Sequence, residues 1–411
     1  MVDFDIEQFV RKYVTKRRES LLKVDFENCL NEMHRRIDGK RVLVIGGAGT
    51  IGSNYVKAML RRFNPSAMYV VDIDENQLTE LTRELRSDSR LTGQVIGLRS
   101  TCEGEKTDLE QLSEIKGYSM PDEYVTEPID LGSKLFKRFF KARGPFDIVA
   151  NFAARKHVRS ERDVYSIEAM CETNVFMAKD LLDLLVQVPP ESFFCVSTDK
   201  ATNPVNIMGA TKELMEETVV AYADYLKVVT ARFANVAFSN GSLPLGWINR
   251  INKKQPIACP SGIKRFFVSP IESGELCLFA SVMGESGDIF YPRLDPAHDM
   301  ITFDSFLPDF LREIGRPNWD VRYFEADTDG EKPYEEFFVN TDVKDETTFV
   351  NLGVIKNSHR CPIAEAERMF EQLRNVFNQQ NVTKEDIVRV LGGFLPNFKH
   401  VFKGKSLDGR M

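Results

Sequence analysis

No stretch of the 411-residue chain approaches the ~18 uninterrupted apolar residues of a membrane-spanning helix. The opening stretch MVDFDIEQFVRKYVTKRRES mixes acids, bases and apolar residues, without the apolar block of a secretory leader, and is not read as one. Seven cysteines are scattered with no Cys-x-x-Cys pair, and their odd number argues against a disulfide framework or a zinc site. Reduced thiols and a cytoplasmic setting are expected. Internal repeats and low-complexity linkers are also lacking. Net charge is −7 and the pI near 5.5, which speaks against the clustered basic face of a nucleic-acid binder. What is present is ordinary globular composition, 43% apolar and 28% charged, in a chain long enough for one large core or two lobes.

Apolar positions at helical spacing (Phe9, Val10, Tyr13, Val14, then Phe26, Cys29, Leu30, Met33, Ile37) mark residues 1–38 as a helical N-terminal extension, packed on the main body or on a second subunit. KRVLVIGGAGTIGSNYVKAML then reads as strand, glycine turn and helix, and MYVVD (68–72) as a second strand. FDIVANFAA and SFFCVST are apolar runs of the buried parallel type, separated by a helical stretch over 162–187. A helix over 208–225 and the strand KVVTARF follow. Strand–helix alternation of this kind predicts an α/β fold, a doubly wound parallel sheet with helices on both faces, over residues 39–235. A charged insertion at 88–123 has no assigned role. The alternation weakens past residue 236, where a smaller substrate-binding lobe is expected over 236–360. Residues 361–411 read as a C-terminal helical segment, with Thr383 and Asp386 forming a capping pattern.

Gly46-Gly47-Ala48-Gly49-Thr50-Ile51-Gly52 follows a strand and opens a helix. In such a turn Gly46 permits the sharp reversal, Gly49 lets the backbone approach a pyrophosphate, and Gly52 lets helix pack on sheet, with phosphates at the helix N-terminus by Thr50 and Ile51. Asp72 stands twenty residues after Gly52, at the end of the second strand, where a carboxylate accepts both ribose hydroxyls of an adenosine and repels a 2′-phosphate. NAD is therefore the expected cofactor. STDKATNPVNIMGATK (197–212) ends a buried-type strand on an adjacent Asp199-Lys200 pair, with Met208 four residues before Lys212 on one helical face. The carboxyl end of a central strand is the usual ligand crevice of these sheets.

The Gly46-x-x-Gly49-x-x-Gly52 spacing resembles that of extended short-chain dehydrogenase/reductases. NFAARKHV (151–158), STDKATNPVNIMGATK, KRFFVSPIESGELCLFA (264–280) and GEKPYEEFF (330–338) narrow the resemblance to the polysaccharide-biosynthesis nucleotide-sugar 4,6-dehydratases, the group acting on UDP-N-acetylglucosamine. It covers about residues 40–340. Such an enzyme moves hydride from sugar C4 to NAD, eliminates water across C5 and C6, and returns the hydride to C6. The resemblance implies Asp199 as acid toward O6, Lys200 as base toward C5, Thr198 as hydrogen-bond partner of O4, and Lys212 on the nicotinamide ribose. Lys200 is then expected to have a depressed pKa, pushed down by Lys212 and the positive nicotinamide. Asp130 matches an acidic residue near the adenine, Lys156 and His157 follow the fourth strand toward cofactor or sugar, and Asn174 is a structural polar residue close to the cofactor.

Met208 replaces the tyrosine that in most relatives takes the 4-hydroxyl proton, leaving Asp199, Lys200 or a water held by Thr198 as its acceptor. On the substrate side the resemblance implies Met208, Asn235, Arg232, Lys264, Arg265 and Glu331, the three basic residues serving as phosphate partners. Two basic positions of the family are absent: Thr328-Asp329 stand before GEK, and Phe238-Ser239-Asn240-Gly241-Ser242 replace the usual basic loop. The nucleotide can therefore differ from the family's usual one. A nucleotide-sugar epimerase or 4-dehydrogenase on the same scaffold, or a non-catalytic NAD-binding protein, are the competing readings. A homodimer or larger homo-oligomer is expected through the apolar faces of helices 162–187 (Leu181, Leu182, Leu184, Leu185) and 208–225 (Val219, Val220, Tyr222), the helices that relatives pair across a two-fold axis.

Overall fold

The computed structural model describes residues 4–88, 120–325, 330, 332, 334–356 and 361–402. Most of the insertion at 88–123, together with Thr328, Asp329 and Glu331, lies outside the described residues.

Fourteen strands are described: β1 (Arg41–Ile45), β2 (Ala67–Asp72), β3 (Glu123–Pro128), β4 (Ile148–Asn151), β5 (Ser192–Val196), β6 (Val228–Ala231), β7 (Asn235–Val236), β8 (Ile257–Pro260), β9 (Lys264–Val268), β10 (Asp288–Pro292), β11 (Met300–Thr302), β12 (Val321–Phe324), β13 (Lys344–Asp345) and β14 (Leu352–Ile355). Nine form one sheet in the order β13-β14-β10-β6-β5-β4-β1-β2-β3. The run from β10 to β3 is parallel, with Val44 level with Ala150 of β4 and Val70 of β2. β14 and β13 close the far edge antiparallel. The central strands carry apolar residues without alternation because helices cover both faces. On one face lie helices Lys23–Ile37, Thr50–Leu60, Glu75–Ser87 and Pro270–Met283; on the other lie Lys134–Arg143, Met177–Gln187 and Ile207–Ala221. The expected α/β, doubly wound architecture is the one observed.

Several elements differ from the sequence reading. β10, β13 and β14 belong to the main sheet although the sequence placed residues 288–355 in the smaller lobe; the chain returns after the lobe and completes the sheet edge with the buried runs IFY and LGVI. The helical stretch over 162–187 is three segments: a helix Val164–Cys171, a π-turn Glu172–Phe176 and the helix Met177–Gln187. The N-terminal extension is split between two cores. Phe9, Val10 and Val14 pack with Phe238, Trp247, Phe306 and Phe310 in the core of the smaller lobe, whereas Phe26, Met33 and Ile37 pack on the main body. Arg17 joins the two by donating to both carboxylate oxygens of the buried Glu272 at 2.9 Å.

The expected subunit face is also occupied. Leu181, Leu182, Leu185 and Val219 are at most 1% exposed, packed against the sheet within this chain. The opposite side of the same helices, through Ile167, Cys171, Phe176, Ala210 and Leu214, is covered by the C-terminal helices Ile363–Phe377 and Lys384–Phe394, through Met369, Phe370, Leu373, Ile387 and Leu391. These apolar positions are accounted for within a single chain, and a second subunit is not needed to bury them. Among the described residues no helix is long and apolar enough to cross a membrane.

Candidate functional site

β1 ends in the glycine turn. Gly46 has φ +69°, and a Cβ on it would stand 2.5 Å from the backbone nitrogen of Ala153, so only glycine allows the loop after β4 to cross this closely. Gly49 caps the helix Thr50–Leu60, whose first N–H groups, from Thr50, Ile51 and Gly52, open toward the same edge. Asp72, the last residue of β2, accepts from the Ala48 N–H at 2.9 Å through Oδ2 and from the Asp74 N–H at 3.1 Å through Oδ1. Its carboxylate thus sits against the glycine turn. Asp130 lies in the turn after β3 and accepts from the Gly132 N–H at 2.8 Å.

The loop after β4 carries Lys156 and His157, both exposed. Asn174 fixes that loop from beneath: its Oδ1 accepts from the Arg155 N–H at 2.8 Å, and its Nδ2 donates to the Arg155 carbonyl at 2.9 Å and to Thr211 Oγ1 at 3.0 Å. Asn174 is 1% exposed, and both polar atoms of its side chain are used in holding the protein itself.

β5 ends at Val196, and Thr198 caps a single 3-10 turn formed by Asp199–Ala201. Asn206 then caps the helix Ile207–Ala221 through the Gly209 N–H at 2.7 Å. That helix passes hard against the turn: a Cβ on Gly209 would meet the Lys200 carbonyl oxygen at 2.4 Å. The Asp199 side chain is 2% exposed, and its Oδ1 accepts from Thr198 Oγ1 at 2.8 Å and from Lys200 Nζ at 3.0 Å. Asp199 Oδ2 is buried without a hydrogen-bond partner. On its other side Lys200 Nζ lies 3.6 Å from Glu335 Oε1, whose second oxygen is likewise buried and unpartnered. Arg265 reaches the same carboxylate at 3.9 Å, and Lys332 anchors nearby on the Thr202 carbonyl at 2.7 Å.

The charge state of Lys200 corrects the sequence expectation. Burial pushes its ammonium down, but the Asp199 and Glu335 carboxylates together outweigh burial and the nearby Arg265, and its pKa is raised. The sequence expectation took in only positive neighbours; the Asp199 carboxylate first, and Glu335 after it, act the other way. Lys212 is depressed by its burial, and its Nζ donates to the Val196 carbonyl at 2.7 Å and to Met215 Sδ at 3.1 Å. Met208 is 2% exposed, and its N–H donates to Glu161 Oε1 at 2.9 Å. His400, from the C-terminal segment, lies 3.4 Å from Glu161 Oε2. The same segment hydrogen-bonds back onto the loop before the helix, Lys399 N to Pro204 O at 3.0 Å and Val401 N to Val205 O at 2.9 Å. The segment after the C-terminal helices therefore holds the loop that follows Lys200, a role its sequence did not disclose.

Of the expected substrate residues, Arg232 is a correction. Its guanidinium is 11% exposed and forks onto Glu216, with Nη2 to Oε2 at 2.6 Å and Nε to Oε1 at 3.0 Å, while Nη1 donates to the Phe337 carbonyl at 3.0 Å. It is consumed by the core and is not a free phosphate partner. Arg265 is 7% exposed in β9, turned toward Glu335 and donating to the Lys264 and Lys332 carbonyls. Lys264 is exposed at the strand's start. Asn235 begins β7, with its Nδ2 buried and unpartnered.

A cavity of about 700 Å³ adjoins this edge, lined by Arg155, His157, Arg162, Trp247, Arg250 and Phe324 among others. The start of the helix Leu243–Asn252 faces it through Gly241, Ser242 and Leu243. The Asn240 N–H donates to Thr50 Oγ1 at 2.9 Å, which ties the loop bordering this cavity to the glycine turn. Glu335 and the arginines of this cavity did not stand out in the sequence. For Glu335 a signal existed, since it lies inside the GEKPYEEFF stretch.

A family model described as polysaccharide biosynthesis protein matches residues 42–116 and 130–357. The chain belongs to that family. Within it, the chain is similar to the capsular polysaccharide biosynthesis protein CapD of Staphylococcus aureus, 24% identical over 379 residues, covering 89% of this chain and 57% of that one. It thus spans little more than half the length of that relative. UDP-glucose 4-epimerase of Rickettsia canadensis is 28% identical over 311 residues, 74% of this chain and 79% of that one. Among solved structures, a double mutant of the dTDP-glucose 4,6-dehydratase DesIV from Streptomyces venezuelae, with NAD bound, matches with a TM-score of 0.53 at 18% identity, covering 72% of this chain and 88% of that one. Identity at that level carries the fold.

Proposed function

We propose that the chain is an NAD-dependent nucleotide-sugar 4,6-dehydratase of surface-glycan biosynthesis, acting on a UDP-N-acetylhexosamine or a close relative. The observation that carries this reading is the Asp199–Lys200 pair at the carboxyl end of β5, with the Asp199 side chain buried and one of its carboxylate oxygens left unpartnered. The residues at the glycine turn fit NAD: a turn that excludes side chains at Gly46, a helix N-terminus for phosphate, and the Asp72 carboxylate for the adenosine ribose. Bound there, the dinucleotide supplies the hydride acceptor and donor that a 4-keto intermediate requires.

The chain's own groups supply the proton chemistry. Thr198 holds the 4-hydroxyl oxygen, and the ketone formed there acidifies the proton on C5. The proton that Lys200 carries in the resting site lies against Asp199, and elimination needs it on Asp199. Passage of one proton across their 3.0 Å contact gives a neutral amine and a carboxylic acid. Lys200 then takes the C5 proton, and Asp199 protonates the departing 6-hydroxyl, so water leaves and the C5–C6 double bond forms. Met208 carries no proton, and the 4-hydroxyl proton leaves through a water held by Thr198 to solvent, because a second proton in the Asp199–Lys200 pair would recharge Lys200. The cavity beside the helix Leu243–Asn252 offers Arg155, Arg162 and Arg250 for the nucleotide diphosphate, which the core-bound Arg232 does not.

A 4-epimerase is the second reading, favoured by the similarity to the Rickettsia enzymes of that name. Incubation with a panel of UDP-, GDP-, CDP- and dTDP-sugars separates the two. The proposal expects a 6-deoxy-4-keto product from a UDP-N-acetylhexosamine. A product inverted at C4 that keeps its 6-hydroxyl would establish the epimerase.

A further inference from the structure

Lys200 lies between two carboxylates, and the second comes from a distant part of the chain. Glu335 stands 135 positions beyond Lys200, in the stretch after Gly330 that the C-terminal segment also touches through the Gly330 N–H to Val401 carbonyl bond. Its side chain is 5% exposed, its Oε1 is 3.6 Å from Lys200 Nζ, and its Oε2 has no partner. The charged groups around Lys200 are Asp199 on its own turn, Glu335 on the 334–338 segment, Arg265 on β9, and Lys332. Arg265 approaches Glu335 only to 3.9 Å and spends its closer N–H groups on backbone carbonyls, so it does not saturate the carboxylate.

A buried carboxylate with one unpartnered oxygen is costly unless a nearby cation shares its charge. Here the nearest cation is Lys200 at 3.6 Å, with Arg265 beyond it at 3.9 Å. We propose that Glu335 is a positioning residue for Lys200: it holds the amine charged and drawn toward the 334–338 segment until the proton is handed to Asp199. The inference deepens the dehydratase reading and rests on it only for the purpose of that proton. Burial raises the Glu335 pKa, and Lys200 acts against that rise.

Removal of the Glu335 charge leaves burial and Arg265 acting against one remaining carboxylate, so the Lys200 pKa should fall. Only neutral amine reacts with an acid anhydride. Competitive labelling at pH 8, read by peptide mass spectrometry, should therefore show Lys200 reacting on the order of tenfold faster in Glu335→Gln, with the exposed Lys134 as internal standard. Glu335→Asp retains the charge one methylene further back and should give a smaller rise; it carries the test if Glu335→Gln melts early. Rates equal to the parent in both variants would overturn the proposal. The labelling needs no sugar nucleotide. An accelerated Lys200 in a protein that yields no 4-keto product would sink the dehydratase reading and keep Glu335. A 4-keto product with unchanged labelling would do the opposite. In the active enzyme, Glu335→Gln should also move the acidic limb of the kcat profile to lower pH while KM stays put, and Glu335→Asp should restore it; a purely structural carboxylate would leave that limb in place.

Discussion

Replacement of Arg232 by methionine separates a structural cation from a ligand. In the structure its guanidinium forks onto Glu216, whose side chain is only 4% exposed, and a third N–H holds the Phe337 carbonyl. Methionine keeps much of the side-chain bulk and removes the charge. Glu216 is then left buried and uncompensated, and breaking a buried pair from one side costs ~3–5 kcal/mol. The lost bond to the Phe337 carbonyl adds about 1 kcal/mol. Removing both charges with Arg232→Met and Glu216→Leu should recover most of the first amount, because the penalty lies in the orphaned charge and not in the missing attraction. Urea unfolding followed by circular dichroism measures the parent, both single variants and the double variant, and the resulting cycle isolates the pair. A stability within about 1 kcal/mol of the parent for Arg232→Met, together with a raised KM for the sugar nucleotide, would refute the reasoning and return Arg232 to the substrate.

Two further outcomes follow from single carboxylates. Burial, with Glu216 beside it, raises the Glu213 pKa to about 8 from an ordinary 4.5, and its Oε2 has no partner. Between those pH values the folded chain holds a proton that the unfolded chain has released, so this group makes stability fall as pH rises through the window. Glu213→Gln should therefore match the parent near the bottom of that window and exceed it at the top in urea midpoint; parallel pH profiles would contradict this. Asp72 faces the glycine turn at the end of β2, and a 2′-phosphate there meets a like charge. Calorimetric titration should show NAD binding more tightly than NADP, with the gap narrowed in Asp72→Ser; tighter NADP binding by the parent would remove Asp72 from that role.

Much of the sheet was legible because its signals are local. VLVIGGAGTIG announces strand, turn and helix within eleven residues, and the unbroken apolar runs of β4 and β5 require helices on both faces. β3 was missed: EYVTEP lies at the sheet edge, half-buried along most of its length, and shows neither an apolar run nor clean alternation. The return of β10 and β14 to the main sheet depends on a crossover through the smaller lobe, which no local pattern encodes. Leucines at 181–185 gave burial correctly but not the burying surface: they pack on the sheet, the C-terminal helices cover the other side of the same helices, and an apolar face in sequence does not say what covers it. The site divides the same way. Asp199 and Lys200 were visible as adjacent charges after a buried strand. Glu335 stood in the GEKPYEEFF stretch, but its pairing across 135 positions appears only once the chain is folded.

The central claim is that Lys200 removes the C5 proton. Lys200→Ala, mixed with UDP-N-acetylglucosamine and NAD, should still develop the absorbance of reduced nicotinamide, because hydride transfer from C4 needs Thr198 and the bound cofactor and not the amine. It should form no 6-deoxy-4-keto product. In heavy water the unaltered protein should place deuterium at C5 while the hydride at C6 arrives without solvent label. Full turnover by Lys200→Ala, or a product that keeps its 6-hydroxyl and gains no deuterium at C5, would contradict the account.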